Sequence, residues 1–496
     1  MKIPSFDTFR DVELWEAYIQ SKLSSFEKDP SSYLKYWYIE SQENSHAYPS
    51  QGMLTTPFDF LGSYKKGMVP PERMLQILRV RQYFLELFNH PERLSFLKAV
   101  DRQKWVAPQK LSNLVMEKAL AEGTALTIED LGIEVVGSQG SRISRTDRFL
   151  QGPFVKLGKQ ARSILVGSAM PDIYASVYAL STMAQCHCLT GVPRNGPLAN
   201  ITRQQDIIKQ VWTALSESEV LLDRSPSDRA YLLKKWKSNI MGVVEADPVK
   251  ALKRVKALYE VGVRTFRIYS PEPGINALMT LKKMRKIYGD ELEIYVGQVV
   301  DVVQARQLEG AGADGLYIGI GGGGRCITGV RSGSVIDWPM LLWNLRGEID
   351  IPVIVEGGAS DHVATTLALG ASGIGVSRIA GGGTIESPGG MLYCIDEQGR
   401  YFKPYGGEAS SRTKYLDKKM LPFSIPSFVE GETRKSYMDH LPYGAPTMPF
   451  HLYSLTEDII LSLVFRGTPT LSEFQNLDPS PLRRNTESGG RLQNPH

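Results

Sequence analysis

The sequence predicts an α/β protein, a (β/α)8 TIM barrel with an N-terminal helical extension. From about residue 160 onward, short apolar and β-branched runs recur, and each is followed by a segment with helical spacing of apolar residues. Several runs are apolar nearly throughout, as parallel strands covered on both faces require. An open doubly wound sheet is the alternative, because periodicity does not report closure. The eight predicted strands are residues 163–170, 186–192, 239–244, 265–270, 293–300, 315–321, 352–358 and 373–377.

Residues 1–122 are predicted to form the helical extension. Residues 11–23 and 72–88 carry apolar residues three and four positions apart, and Pro70-Pro71 marks the start of the second helix. We expect this region to cap the barrel, with a partner-binding or regulatory domain as the alternative.

The barrel domain is predicted to span residues 123–475. The strand-helix alternation stops after Gly390, and residues 391–453 are rich in Gly, Pro and aromatic residues, which is typical of a long excursion such as an active-site flap. A helix at residues 455–465 is expected to complete the barrel. The tail, residues 476–496, is predicted to be disordered.

The composition is that of an ordinary globular protein. The net charge of +4 is small for 496 residues, so neither nucleic acid nor an anionic membrane surface is expected as a partner. The N-terminus lacks a signal-peptide pattern, and no apolar run is long enough for a membrane span. Four cysteines in so long a chain do not form a disulfide framework, and we expect a cytoplasmic protein with reduced thiols.

The strongest functional signal is the loop Gly-Ile-Gly-Gly-Gly-Gly-Arg-Cys-Ile-Thr at residues 319–328, directly after the sixth predicted strand. Its glycines let the backbone approach a ligand closely, and its amides can face an anion. Arg325 and these amides favour the thiolate of Cys326, which is the reactive form of cysteine. We interpret Cys326 as a nucleophile; a structural cysteine is the alternative.

Two other readings of the glycine loop fail. Gly319, Gly321 and Gly324 fit the spacing of a dinucleotide-binding fingerprint, but no helix opens after the third glycine and no acidic residue ends a strand about 20 positions later. A phosphate-binding Walker loop requires Gly-Lys-Ser/Thr, which is absent from the sequence here.

Further signals follow the seventh and eighth predicted strands. Glu356-Gly357-Gly358 ends the seventh, while Ser377-Arg378 and the glycines 381–383 follow the eighth. Glycine-rich turns at these two places form the usual phosphate cradle of barrels, and Glu356 can accept hydrogen bonds from sugar hydroxyls. Tight turns that need a positive φ are the structural alternative.

The segment Cys186-His187-Cys188 suggests a metal site, but no second pair of ligands stands at zinc-like spacing elsewhere. We expect these residues to line the barrel instead.

These motifs, taken in order, resemble the IMP dehydrogenase and GMP reductase family. The likeness runs from about Leu126 to Arg466. It rests on Leu-Thr-Ile-Glu-Asp-Leu from residue 126, Ser-Ala-Met-Pro-Asp from 168, the Cys-Ile-Thr loop, Val-Glu-Gly-Gly from 355, Glu-Ser-Pro-Gly from 386, Tyr-Gly-Gly from 405 and Glu-Gly from 430.

The resemblance implies thiolate attack on C2 of a purine nucleoside monophosphate, which gives a covalent adduct. In the dehydrogenase hydride passes to NAD and water releases XMP; in the reductase ammonia leaves GMP and NADPH delivers hydride. By this resemblance Cys326 is the nucleophile, Thr328 assists proton movement and Glu386 is an acid/base candidate. The nucleotide would be held by Ser168, Met170, Gly324, Glu356, Gly357, Gly358, Ser377, Arg378, Tyr405, Gly407 and Glu430.

The same resemblance implies further ligands and an assembly. NAD or NADP(H) would lie at Ser270, Gly319 and Gly321, and a potassium ion would bind backbone carbonyls of Gly321, Gly323 and Cys326. The family also implies a homotetramer.

Several positions depart from the family pattern. Tyr269 stands where the family has an aspartate that binds the cofactor ribose, Glu356 replaces an aspartate, and Tyr317 and Gln298 replace polar residues near the ring. No regulatory CBS pair follows the second strand, and the Arg-Tyr dyad of the dehydrogenase flap is missing. The short excursion and Glu-Gly-Glu-Thr from residue 430 favour the reductase type slightly.

Two other functions stay open. An FMN-dependent barrel oxidoreductase uses the same glycine turns after strands seven and eight. A non-catalytic purine nucleotide sensor, acting through the N-terminal helices, is suggested by Tyr269.

Overall fold

The computed structural model describes residues 2–5, 11–23, 65–111, 124–126, 145–269, 275–319, 333–357, 363–406, 434–439, 444–478, 480–484 and 487. The α-helices are α1 Val12–Lys22, α2 Pro71–Phe88, α3 Pro91–Arg102, α4 Arg145–Gln151, α5 Pro171–Tyr174, α6 Val177–Gln185, α7 Ile201–Ser216, α8 Pro226–Ser238, α9 Pro248–Glu260, α10 Ile275–Tyr288, α11 Val302–Gly310, α12 Trp338–Leu345, α13 Val363–Leu369, α14 Arg378–Gly381, α15 Met448–Phe465 and α16 Leu471–Gln475. The strands are β1 Lys65–Met68, β2 Thr124–Leu126, β3 Phe154–Leu157, β4 Gln160–Ser163, β5 Leu165–Val166, β6 Thr190–Val192, β7 Ile240–Glu245, β8 Thr265–Tyr269, β9 Glu293–Gly297, β10 Gly315–Ile318, β11 Val353–Val355, β12 Gly373–Gly375, β13 Leu392–Ile395, β14 Tyr401–Tyr405, β15 Arg434–Tyr437 and β16 Leu482–Arg484.

The predicted (β/α)8 barrel is confirmed. Strands β5 to β12 form one eight-stranded parallel sheet in the order β5-β12-β11-β10-β9-β8-β7-β6. A parallel bridge between Gly167 and Thr190 joins the first barrel strand to the second and closes the ring. Each predicted strand overlaps an observed one. Most observed strands are shorter, since the ends of the apolar runs continue into loops, and the third extends one residue further, to Glu245.

Local sequence signals begin the helices of the barrel wall. Asp247 caps α9 by accepting hydrogen bonds from the amides of Val249 and Lys250, and Asp301 caps α11 in the same way through the amide of Gln304. Pro248 occupies the first turn of α9, where a backbone amide has no hydrogen-bond acceptor within the helix, so the missing N–H of proline costs no hydrogen bond. These caps fix where each loop after a strand ends.

A β-hairpin closes the amino-terminal end of the barrel. Strands β3 and β4 pair with each other and bring Arg162 beneath the barrel floor, where its guanidinium donates to both carboxylate oxygens of Glu293 at 2.6 and 2.7 Å. Burial alone would raise the pKa of Glu293, but the charge and hydrogen bonds of Arg162 keep it below its ordinary value. The two buried charges neutralise each other, and this ion pair holds the hairpin to the start of β9.

The segment Cys186-His187-Cys188 lies in the turn between α6 and β6, not in a strand as predicted. His187 has a φ of 61°, which a strand does not accommodate. All three residues are buried, and burial raises the pKa of the Cys188 thiol to about 12 and lowers the pKa of His187 to about 3. Among the residues that the structure describes, no group of His, Cys, Asp and Glu side chains is arranged to hold a metal ion.

The N-terminal region contains a strand as well as the predicted helices. Strand β1 pairs antiparallel with β13, so the sheet of the excursion has the order β1-β13-β14-β15. The prediction of an entirely helical extension is therefore wrong at Lys65–Met68. We refer to β13, β14 and β15 below as the flap sheet.

Part of the tail is ordered, contrary to the prediction for residues 476–496. Strand β16 pairs antiparallel with β2, and the Leu482 side chain is buried in the main core. Burial of the Leu482 side chain favours this pairing, although the polar composition of the whole segment predicts disorder.

No helix within the described ranges is both long and apolar enough to cross a membrane.

The Arg162–Glu293 pair gives a test of how the barrel floor is held. Arg162→Met leaves the buried carboxylate without its cation, so the free energy of unfolding should fall by about 3–5 kcal/mol. Urea unfolding followed by circular dichroism measures the loss. The matched control is Arg203→Met on the exposed face of α7, expected to change stability by no more than about 0.5 kcal/mol. Equal stability of the two variants would contradict this account.

Candidate functional site

The candidate site lies at the carboxyl ends of the barrel strands, where Glu356 directly follows β11. Arg267, in the interior of β8, reaches across to it and donates two hydrogen bonds, Nη1 to Oε1 at 2.8 Å and Nη2 to Oε2 at 2.6 Å. Gln298, just after β9, donates from Nε2 to Oε2 at 3.2 Å. Strands four, five and seven thus converge on one carboxylate.

Aromatic rings enclose the guanidinium of Arg267. Its central carbon lies 3.9 Å from the ring centroid of Tyr317 and 4.9 Å from that of Tyr269. Burial opposes the charged form, but the carboxylate of Glu356 holds the pKa of Arg267 above its ordinary value. The side chains of Arg267 and Glu356 are only 3% and 13% exposed, so the pair is a desolvated, bidentate ion pair.

Sequence reasoning missed Arg267. The signal was present, because this arginine interrupts an otherwise apolar and aromatic strand, Thr-Phe-Arg-Ile-Tyr. A charged residue inside a barrel strand must find a partner at the same depth, and Glu356 was the carboxylate available.

Two predicted nucleotide-binding residues meet beside Gly375 at the end of β12. A Cβ atom at this glycine would lie 3.0 Å from both Ser168 Oγ and Glu356 Cγ. The absence of a side chain therefore leaves space between the first and seventh strands at the mouth of the barrel.

The loop that carries Cys326 begins against the backbone of Glu356. Gly319 has a φ of 129°, and any side chain there would collide with the backbone carbonyl of Glu356. The first residue of the glycine loop is thus held at the end of the seventh strand. Nine residues of the predicted set lie outside the described residues: Ser270, Gly321, Gly323, Gly324, Cys326, Thr328, Gly358, Gly407 and Glu430.

The segment Ser168–Met170 is joined to the flap sheet. Asp172, buried in α5, accepts a hydrogen bond from the amide of Gly406 at 2.8 Å. Gly406 directly follows Tyr405, the last residue of β14, so this bond brings Tyr405 to the first-strand motif. The predicted nucleotide contacts from these two distant parts of the chain are therefore neighbours.

The turns after strands seven and eight differ in what their glycines do. Gly357 has a φ of 76°, as a tight turn requires. After β12, Ser377 precedes the short helix α14 and Arg378 is exposed. Side chains at Gly381 and Gly383 would collide with Ile173 and with the backbone of Tyr437, so these glycines allow close packing under the flap sheet.

Glu386 occupies a buried position at the base of the flap. Its carboxylate accepts hydrogen bonds from Thr447 Oγ1, from the amide of Met448 at 3.1 Å and from Arg81 Nε at 3.2 Å. The residue is fully buried. These contacts position the loop after strand eight, and a role of Glu386 in proton transfer stays a prediction.

The end of the fourth strand does not fit the family's contact to a cofactor ribose. The ring of Tyr269 lies close to two guanidinium groups, with the central carbons of Arg267 and Arg194 at 4.9 and 5.5 Å from its centroid. A phenol does not supply the two acceptor oxygens that a ribose diol requires.

Comparison with known proteins agrees with this architecture. The family model described as the IMP dehydrogenase / GMP reductase domain matches residues 154–496. Inosine-5'-monophosphate dehydrogenase of Helicobacter pylori (strain ATCC 700392 / 26695) is 36% identical over 246 residues, which are 46% of this chain and 48% of that protein. The dehydrogenase of Aquifex aeolicus is 30% identical over 46% of each chain.

A reductase is also among the relatives. GMP reductase of Shouchella clausii is 28% identical over 204 residues, covering 40% of this chain and 56% of that protein. The chain spans about half the length of the curated relatives that it matches.

The ion pair at the mouth of the barrel can be tested by stability. Arg267→Met leaves the carboxylate of Glu356 desolvated and unpaired, so the free energy of unfolding should fall by about 3–5 kcal/mol. Chemical unfolding measures this loss. The control is Arg264→Met, at the exposed position just before the same strand, and its stability should stay within about 1 kcal/mol of the wild type. Adding Glu356→Gln to Arg267→Met should recover part of the loss. Additive losses in the double variant would show that the two side chains do not act as a pair.

Proposed function

Because the chain belongs to the IMP dehydrogenase / GMP reductase domain family, we propose that it is an oxidoreductase that acts at C2 of a purine nucleotide. The observation that supports this most directly is that Gly319, where the Cys326 loop begins, packs against Glu356. The loop of the predicted nucleophile and the predicted sugar-binding carboxylate then follow two neighbouring strands at the same end of the barrel.

In this proposal Cys326 attacks C2 as a thiolate and forms a covalent adduct, and Thr328 assists proton movement at the leaving group. Covalent capture divides one difficult reaction into two easier steps. Ser168, Met170 and Glu356 hold the sugar and phosphate end of a purine nucleoside monophosphate. The other predicted binding residues serve the same ligand: Gly324, Gly357, Gly358, Ser377, Arg378, Tyr405, Gly407 and Glu430.

Glu356 suits the sugar contact because its partners fix its direction. Arg267 and Gln298 both donate to Oε2, whereas Oε1 accepts one hydrogen bond from Arg267 and keeps a second lone pair for a ligand hydroxyl. The extra methylene relative to the family's aspartate is accommodated beside Gly375, where a side chain would crowd Glu356.

For the hydride partner we propose NAD or NADP(H) on family membership alone, with Ser270, Gly319 and Gly321 nearest to it. The nicotinamide, when bound, supplies the hydride chemistry. Because Tyr269 does not fit the family's contact to the cofactor ribose, we assign no contact with the cofactor to that residue. A potassium ion at Gly321, Gly323 and Cys326, a homotetramer and a cytoplasmic location belong to the same proposal.

We propose the reductase direction over the dehydrogenase direction. The support is the short excursion, the Glu-Gly-Glu-Thr segment from residue 430 and the missing Arg-Tyr dyad. Both activities are named among the relatives, so the direction must be measured.

Two nicotinamide assays test the function. The protein should oxidise NADPH in the presence of GMP, and it should give less or no NADH with IMP and NAD, each followed at 340 nm. Faster NADH formation would reverse the direction. If neither pair reacts while either nucleotide binds by calorimetry, the redox proposal fails.

The role of Cys326 has its own test. Cys326→Ala should abolish turnover and leave nucleotide affinity within about tenfold, because the thiolate acts in the chemical step. Cys188→Ala is the matched control and should keep turnover, since burial raises the pKa of that thiol to about 12 and keeps it protonated. Turnover by Cys326→Ala, or complete loss of binding by this variant while it stays folded, would contradict the assignment.

A further inference from the structure

The N-terminal extension contributes a strand to the flap sheet. Strand β1 lies antiparallel to β13, with Met68 opposite Leu392 and Lys65 opposite Ile395. The amide of Val69 continues the contact by donating to the carbonyl of Met391 at 3.2 Å. The outer edge of β13, which begins the excursion, is therefore paired with the extension.

The extension and the flap sheet also share a hydrophobic core separate from that of the barrel. Its members from the extension lie on or directly after α1, on α2 and directly after β1. The others lie before β13, within β13 and directly after β15. The buried residues are Trp15, Tyr18, Ile19, Leu23, Val69, Met74, Ile77, Leu78, Ile385, Met391, Tyr393 and Met438. Removing the extension would expose the inner face of the flap sheet to water.

Arg81 connects this shared core to the loop after strand eight. It lies on α2, is 7% exposed, and donates from Nε to Glu386 Oε1 at 3.2 Å. Its Nη2 donates to Thr182 Oγ1 on α6 at 2.9 Å. One guanidinium therefore bridges the barrel wall and the base of the flap, a geometry that the fork of an arginine provides and a lysine does not.

The opposite side of the same loop is held by the flap itself. Lys403, in β14, is buried and donates from Nζ to the carbonyls of Thr384, Ser387 and Gly390 at 2.7, 2.9 and 2.6 Å. Two residues later in the strand comes Tyr405, whose neighbour Gly406 is bonded to Asp172. The contacts thus continue from Arg81 through Glu386 and Lys403 to the end of β14.

From these contacts we propose that the extension is the positioning element of the flap, and that Arg81 is a positioning residue acting through Glu386. It places the end of β14, with Tyr405, against the first-strand motif that holds the nucleotide. The inference rests on the proposed function only in taking that motif and Tyr405 as nucleotide contacts. It predicts that the extension sets nucleotide affinity and leaves the reactivity of Cys326 unchanged.

The test compares Arg81→Met with Arg79→Met in the full-length protein. Arg79 lies on the same helix, and its polar contacts among the described residues are to α1, through Gln20 at 3.0 Å and Glu16 at 3.7 Å. Arg81→Met should speed hydrogen exchange at residues 392–395 and 401–405 by about tenfold, the effect of losing one charged hydrogen bond. Exchange in β7 should stay unchanged, and Arg79→Met should resemble the wild type.

Kinetics give a second readout that general destabilisation would not produce. Arg81→Met should raise KM for the nucleotide about tenfold with kcat within about threefold, because binding is impaired and chemistry is not. The rate of Cys326 alkylation by iodoacetamide in the free enzyme should not change. Arg81→Lys keeps a positive charge beside the carboxylate of Glu386, so it should restore part of the affinity. If Arg81→Met does not fold, Arg81→Lys takes its place in the test.

Failure of this inference is distinct from failure of the proposed function. Wild-type protein that turns over neither substrate pair removes the proposed function, while hydrogen exchange still decides the coupling. Equal exchange in the Arg81 and Arg79 variants would overturn the inference. So would a loss of kcat with unchanged KM.

Discussion

The bidentate pair between Arg267 and Glu356 is the interaction on which the candidate site depends. It crosses the mouth of the barrel from the fourth strand to the seventh and fixes the direction of the Glu356 carboxylate, to which Gln298 also donates. A buried charge without its partner would cost several kcal/mol, so neither side chain can be changed alone. The rings of Tyr269 and Tyr317 lie 4.9 and 3.9 Å from the central carbon of the guanidinium, and these cation–π contacts add to the ion pair.

Barrel closure is the second constraint. The bridge between Gly167 and Thr190 makes the strand ends a ring, so residues far apart in the chain become neighbours. The flap uses this arrangement, since Asp172 after the first strand holds Gly406. The extension then supplies an edge strand and eight of the twelve buried residues of a second core, so it packs directly on the flap sheet.

Much of the barrel could be predicted because its signals are local. Apolar strand runs, first-turn prolines and Asp caps each act within a few residues. The remainder depends on long-range contacts. Strand β1 is short and polar at its start, and only its pairing with β13 makes it a strand. Leu482 is buried because β2 lies beside it, which a reading of tail composition does not show.

The site divides in the same way. Glu356 and Ser168 could be predicted from motifs, and the structure brings both beside Gly375. Arg267 and Arg81 were missed because nothing within a few residues identifies their partners, which lie 89 and 305 positions away. Glu386 was recognised by its motif, but its burial by Arg81, Thr447 and Met448 follows only from the packing of three separate segments.

If Cys326 attacks C2 of a bound purine nucleotide, as proposed above, a nucleotide with a leaving group at C2 should trap the adduct covalently. A 2-chloropurine riboside 5'-monophosphate would form a sulfur–C2 bond with the thiolate and release chloride with the electron pair of the broken bond. Peptide mass spectrometry should find the nucleotide on Cys326 alone, because Cys186, Cys188 and Cys394 are buried, and excess GMP or IMP should protect it. An adduct on another residue, or none on a protein that binds the probe, would contradict the account.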